Sequence, residues 1–186
     1  VEDLIPDEEN ALVLTAGGYI KRTNPDEFRK QKRGGVGVVD LDTKEEDFVT
    51  MLLITSTHSD LLFFTDKGKV YQTKMYDIPE GRRATKGKSI VNFLPLGEGE
   101  KITSIIAMEK DMKTADVSLV MVTRDGVSKK VAAESFKDVR RSGIIAIKLA
   151  PSDQLVSVSF VSKSDDVVVV TSKGQSIRFK ESDVRE

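Results

Sequence analysis

Leu61-Leu62-Phe63-Phe64-Thr65-Asp66-Lys67-Gly68-Lys69-Val70-Tyr71-Gln72-Thr73 decides how the chain folds. Its first half is a continuous apolar run closed by Thr65, its centre is a short polar turn ending in Gly68, and its second half alternates. Continuous apolarity suits a strand covered on both faces, alternation suits a strand with one wet face, and the glycine supplies the positive φ of a tight turn. The stretch predicts a β-hairpin. The same phrase returns at Leu12-Val13-Leu14-Thr15 with Gly18, at Leu119-Val120-Met121-Val122-Thr123 with Gly126, and at Val167 to Val170 and Thr171 with Gly174. In each copy the step from Thr to Gly is three residues, and successive turn glycines are 50, 58 and 48 residues apart. A period of that length marks a repeat architecture. The longest period holds an added polar stretch between Lys110 and Asp116.

Two further strand-like stretches recur in each period, one at 38–41, 89–96 and 144–149, the other at 48–54, 102–107 and 155–161. Four strands per unit is the make-up of a propeller blade, so the expected fold is all-β and propeller-like. β-Branched and aromatic residues dominate, and only 132–139 has the spacing of a single helical turn. Residues 1–10 are acidic and carry Pro6, which reads as a linker ahead of a repeat domain over 11–186.

The 186 residues are 39% hydrophobic and 32% charged, the balance of a globular chain with a real core. There is no Cys and one His, which removes a thiolate nucleophile, a disulfide frame and most metal-ligand sets. His58, between Thr57 and Ser59-Asp60, reads as a loop residue, and Tyr19, Tyr71 and Tyr76 as packing residues. A catalytic constellation is not expected. The chain starts at Val1 with no charged-then-apolar leader, so it reads as a piece of a longer protein, without a membrane segment and at home in a reducing cytoplasm.

Net charge is −1, yet the charge is unevenly spread. Residues 21–33 carry +4 (Lys21, Arg22, Arg29, Lys30, Lys32 and Arg33 against two acids), 82–88 carry +4 (Arg82, Arg83, Lys86, Lys88), and 129–141 carry +3 (Lys129, Lys130, Lys137, Arg140 and Arg141 against two acids). Arg33, Arg83 and Arg141 each lie fifteen residues after a turn glycine, and each follows another cation. A constant phase in a repeat predicts a basic stripe along one rim. With few aromatic residues interleaved and no recognition helix, such a stripe suits duplex phosphates better than single-stranded bases or a base-reading groove contact. In the first patch the cations run into Gly34, Gly35 and Gly37, whose backbone can approach a phosphate closely. The stretch lacks the Gly-Lys-Ser/Thr ending of a nucleotide-phosphate loop.

The heptad Gln31-Lys32-Arg33-Gly34-Gly35-Val36-Gly37 resembles the box found in the C-terminal domain of the DNA gyrase A subunit, Gln-Arg-Arg-Gly-Gly-Lys-Gly, at five of seven positions. Lys32 keeps the charge of the arginine it replaces, and Val36 removes a cation. Gly17-Gly18-Tyr19-Ile20-Lys21-Arg22, Lys69-Val70-Tyr71, residues 79–87, Ile90-Val91-Asn92-Phe93-Leu94-Pro95-Leu96 and Arg178-Phe179-Lys180-Glu181-Ser182 are similar to that family too. The resemblance implies a β-pinwheel whose four-stranded blades exchange strands with their neighbours. It implies that double-stranded DNA wraps around the basic rim, with Gln31, Lys32, Arg33, Gly34, Gly35 and Gly37 as box residues, so that the parent enzyme can introduce negative supercoils. It further implies a bacterial, cytoplasmic, nucleoid-associated A2B2 assembly with the gyrase B subunit. The strand-cleaving tyrosine, ATP and Mg2+ then belong to other domains, and this part needs no cofactor. The rival expectations are a topoisomerase IV-like C-terminal domain, whose box is degenerate or absent, and a propeller that docks an acidic protein.

Overall fold

The computed structural model describes residues 1–29, 47–82 and 85–186. Thirteen strands in antiparallel sheets make up its regular structure, with a four-residue α-helix, Asp26–Arg29, and single 3-10 turns between strands. The first sheet has the order β3-β1-β2-β6, from β1 (Glu9–Thr15), β2 (Tyr19–Thr23), β3 (Val49–Ser56) and β6 (Lys88–Ser89). The second is β10-β5-β4-β7, from β4 (Asp60–Thr65), β5 (Lys69–Lys74), β7 (Ile102–Met108) and β10 (Ile144–Ile145). The third is β11-β8-β9, from β8 (Val117–Thr123), β9 (Ser128–Ala132) and β11 (Leu155–Ser162), and the fourth is the hairpin β12 (Asp166–Val170) and β13 (Ser176–Lys180). By contacts the chain divides into two compact units, 1–62 with 72–98 and 107–110, and 63–71 with 99–106 and 111–186.

Each hairpin foreseen from the Thr-to-Gly phrase is present, and all four turn glycines, Gly18, Gly68, Gly126 and Gly174, have φ between 77° and 88°. The first strands of the hairpins form the core. Leu12, Val13 and Leu14 of β1, Leu61 to Phe64 of β4, and Leu119, Val120 and Met121 of β8 are all buried. At about 1.5–3 kcal/mol for each fully buried large apolar side chain, these runs are the main apolar stabilisation of their sheets. The fourth copy departs from the expectation of burial on both faces, since Val168 and Val170 are 59% and 66% exposed. Its sheet has two strands only, so no further strand covers either side of the hairpin among the described residues.

The stretches after the basic patches are shorter as strands than the sequence suggested. Only Lys88–Ser89 of 89–96 and its flank, and only Ile144–Ile145 of 144–149, are extended pairs. Beyond Ser89 the Ile90 amide makes one last bond to the Gly18 carbonyl, and the ladder stops there because the Gly18 amide is turned to Thr15 and the Ile90 carbonyl accepts from Phe93 and Leu94 in the 3-10 turn Ile90–Asn92. The apolar residues that looked like strand, Ile90 and Leu94, and Ala146 and Ile147, are instead loop residues plugged into the core. Residues 38–41 lie outside the described residues.

The exchange of strands is direct. β6 follows the second hairpin but pairs with β2 of the first, Tyr19 opposite Ser89 and Ile20 opposite Lys88. β10 follows the third hairpin and pairs with β5 of the second, Ile144 opposite Val70. β3 and β11 return to the first strand of their own hairpins, β1 and β8. The one expected helical turn in 132–139 is a 3-10 turn, Ala133–Phe136. At the start of the chain, residues 1–8 lie against the turn before β4: Thr57 Oγ1 donates to the Pro6 carbonyl at 2.6 Å and His58 Nε2 to the Ile5 carbonyl at 2.8 Å.

Candidate nucleic-acid interface

Two of the basic patches lie on the segments that cross from one hairpin to the sheet of the preceding one. In the first unit, residues 79–90 run beside β2. The Arg22 amide donates to the Pro79 carbonyl, the Gly81 amide to the Arg22 carbonyl, and the β2–β6 pairing follows. Gly87 takes φ +84° and its α-carbon sits so close to β2 that a Cβ there would be 2.5 Å from the Ile20 carbonyl oxygen. In the second unit, Gly143 does the same against β5, where a Cβ would meet the Tyr71 ring at 2.7 Å. These glycines pin the crossover tightly to the sheet.

On the first crossover Arg82, Lys86 and Lys88 are exposed, and on the second Arg140 and Arg141 are exposed. Arg140 Nε donates to the Gly143 carbonyl at 3.1 Å, which curls its guanidinium over the tight turn. Lys86 Nζ stands 3.8 Å from the centroid of the Tyr19 ring. Gln31, Lys32, Arg33, Gly34, Gly35, Gly37, Lys30, Arg83 and the side chain of Arg29 lie outside the described residues.

The strand cations are different, and three of them must be withdrawn from the surface stripe. Lys21 is 1% exposed, with Nζ on the Arg82 carbonyl at 3.2 Å. Arg22 gives Nε to the Ile78 carbonyl at 2.7 Å and Nη1 to Asn10 Oδ1 at 2.7 Å, beside Glu80. Lys130 is buried, with Nζ on Glu181 Oε1 at 2.5 Å. Lys129 is half-buried and points Nζ at the Ala146 carbonyl, 3.3 Å away. Arg22 and Lys130 also pin the chain that follows through their amides, which donate to the carbonyls of Pro79 and Arg185. Removing a cation from water requires internal hydrogen bonds, and each of these has found one. Lys21, Arg22 and Lys129 therefore tie the crossovers down, while Arg82, Lys86, Arg140 and Arg141 on the crossovers are exposed.

A second recurring feature escaped the sequence reading. The threonine that ends a hairpin's first strand meets a carboxylate two residues before the returning strand. Thr15 Oγ1 donates to Asp47 Oδ2 at 2.8 Å, Thr65 Oγ1 to Glu100 Oε2 at 2.8 Å, and the Thr123 hydroxyl to Asp153. Gly17 and Phe48 amides add to Asp47, and Asp125 and Gln154 amides to Asp153. Partial desolvation opposes ionisation at both aspartates, but the donated hydrogen bonds outweigh it and hold both carboxyls below their usual range. Burial, then the hydrogen bond to Glu100, pushes the Tyr71 phenol up to about 12. The available signal was an acid at a fixed place before β3, β7 and β11. These contacts close the turns.

Residues 9–56, 59–107, 118–162 and 165–186 match the family described as DNA gyrase C-terminal domain, beta-propeller. The matched segments follow the four hairpin repeats. The DNA gyrase A subunit from Clostridium acetobutylicum is 48% identical over 185 residues, 100% of this chain and 22% of that protein. The DNA gyrase A subunit from Streptococcus pyogenes serotype M1 is 45% identical over 184 residues, 99% of this chain and 22% of that protein. A solved DNA gyrase A C-terminal domain superposes with a TM-score of 0.75 at 30% identity, over 96% of this chain and 56% of that one. The C-terminal domain of a DNA topoisomerase IV superposes with a TM-score of 0.74 at 27% identity, over 97% of this chain and 56% of that one. The chain thus spans about a fifth of the length of the curated relatives it matches. With its repeats matched one after another and its identity to gyrase A subunits sustained end to end, the chain belongs to the DNA gyrase C-terminal domain family.

Proposed function

We propose that this chain binds double-stranded DNA by its phosphates, without reading bases, and bends it along successive crossovers as the wrapping part of a gyrase A subunit. The observation that carries the reading is the exposure of Arg82, Lys86 and Lys88, and of Arg140 and Arg141, along the two crossovers, while Lys21, Arg22 and Lys130 are held by internal hydrogen bonds. Bending 20–30 base pairs by 40–90° costs on the order of 1–6 kcal/mol, which distributed phosphate contacts can offset and a single contact cannot. In the whole enzyme, two A subunits work with two B subunits, an A2B2 assembly in the bacterial cytoplasm, on the nucleoid. ATP and Mg2+ work in other domains, and the bent duplex presents one segment for passage through another. The box at Gln31, Lys32, Arg33, Gly34, Gly35 and Gly37 supplies the first phosphate contact of the wrap.

The test uses the full-length protein assembled into the A2B2 enzyme. Affinity for random-sequence duplex should fall about 10³–10⁵-fold between 50 and 200 mM salt if roughly 6–10 phosphates are contacted. Lys32→Ala with Arg33→Ala should abolish negative supercoiling and leave relaxation largely intact. Binding without a salt slope would favour a protein-docking platform, and normal supercoiling by the double variant would overturn the box assignment.

A further inference from the structure

We propose that Tyr19 is a positioning residue: its ring holds the Lys86 ammonium where it meets a DNA phosphate, so the crossover at 79–90 supplies the cation that the heptad at 31–37 lacks. The proposal rests on the duplex-binding reading above. Residues 31–37 and 81–87 stand 50 apart, the same interval as Gly18 and Gly68. In that register Lys32 matches Arg82, Arg33 matches Arg83, Gly37 matches Gly87, and Val36 matches Lys86. The apolar residue of one loop is thus a lysine in the other.

The local geometry fixes this lysine more firmly than an exposed side chain usually is. Gly87 is pressed on the Ile20 carbonyl, and the next two residues pair with Ile20 and Tyr19 across the β2–β6 ladder. The backbone carrying Lys86 therefore has little play relative to Tyr19. The ammonium sits 3.8 Å from the ring centroid, over the face where the quadrupole is negative. Among the described residues Lys86 makes no ion pair. Asp47 lies near enough to feel its charge, but the Asp47 oxygens already accept from Thr15, Gly17 and Phe48. An ammonium has three donors, and the ring occupies one side of it. The outward donors suit a phosphodiester oxygen, which completes the cation's coordination without displacing the ring. A free lysine would first have to be ordered by the DNA itself, so ordering it in advance favours binding.

The experiment measures duplex affinity of the full-length protein over a salt series, with heat unfolding as the check on folding. Lys86→Ala should lower the slope of log K against log salt by about 0.9, the loss of one phosphate contact. Tyr19→Phe keeps the ring and should match the wild type, whereas Tyr19→Leu should bind about two- to fivefold more weakly. The double variant Tyr19→Leu/Lys86→Ala should bind no more weakly than Lys86→Ala alone, because the ring acts only through the lysine. An unchanged slope in Lys86→Ala, or losses that multiply in the double variant, would overturn the proposal and leave the duplex-binding reading standing. Should Tyr19→Leu fail to fold, Lys86→Ala still decides. A wild type that binds duplex with no salt slope would overturn the reading beneath it instead.

Discussion

Lys130 Nζ donates to Glu181 Oε1 at 2.5 Å, and both side chains are only 11% exposed. Removing one partner leaves an uncompensated buried charge, so Lys130→Met should destabilise the domain by about 3–5 kcal/mol, whereas Lys130→Met with Glu181→Leu should recover most of that loss. Denaturant unfolding of the three proteins checks it. A harmless single substitution would mean that the pair is open to water.

Gly87 is constrained twice, by its backbone angle and by the Ile20 carbonyl. Gly126 shares the angle, φ +88°, but nothing lies within 4 Å of where its Cβ would be. Gly126→Ala should therefore cost about 1 kcal/mol, and Gly87→Ala at least about 2 kcal/mol, with DNA affinity falling as the crossover is displaced. Equal destabilisation by the two would show that the close approach to β2 carries no weight.

Exposed and buried cations should separate cleanly in a salt titration. Lys88→Ala and Arg141→Ala should each reduce the magnitude of the slope by about 0.9, while Lys21→Met should lower the unfolding midpoint and leave the slope alone. If Lys21→Met changes the slope, its ammonium reaches DNA after all.

Both ends of the pH scale have named groups. Asp47 and Asp153 are held below the ordinary aspartate value of 3.8, so the folded state binds protons less readily than the unfolded one. Their contribution is present above about 3.8 and lost as pH falls through the lowered values. Asp47→Asn with Asp153→Asn should flatten the acid limb of a melting-temperature profile. Tyr71, pushed up to about 12 from 10.0, keeps its proton longer in the folded state, so its contribution is intact below 10 and disappears as pH rises towards 12. Tyr71→Phe should remove that alkaline decline, at a cost of about 1 kcal/mol near neutrality from the lost hydrogen bond to Glu100.

What was legible in the sequence followed from local rules. Thr15, Thr65, Thr123 and Thr171, each three residues before a glycine, locate the hairpins because turn chemistry and alternation act over a few residues. The burial of Lys21 was not legible, since a carbonyl from Arg82, 61 residues away, is what accepts its hydrogen bond. Nor was the early end of β6, where the Gly18 amide is turned to Thr15 and the Ile90 carbonyl to Phe93 and Leu94. Charge counts placed the basic segments correctly along the chain but could not tell a strand lysine facing a neighbour from a crossover lysine facing water. That distinction is a tertiary one.

Pairing Tyr19 with Ser89, and Val70 with Ile144, makes each of these sheets wait for amino acids about seventy positions downstream. At translation rates of about 5–20 residues per second, a nascent hairpin emerges from the ribosome roughly 4–14 s before the segment that seals its open edge. During that interval β2 or β5 offers unpaired backbone groups to any neighbouring chain. Synthesis order therefore becomes assembly order, with each newly made repeat closing the one before it.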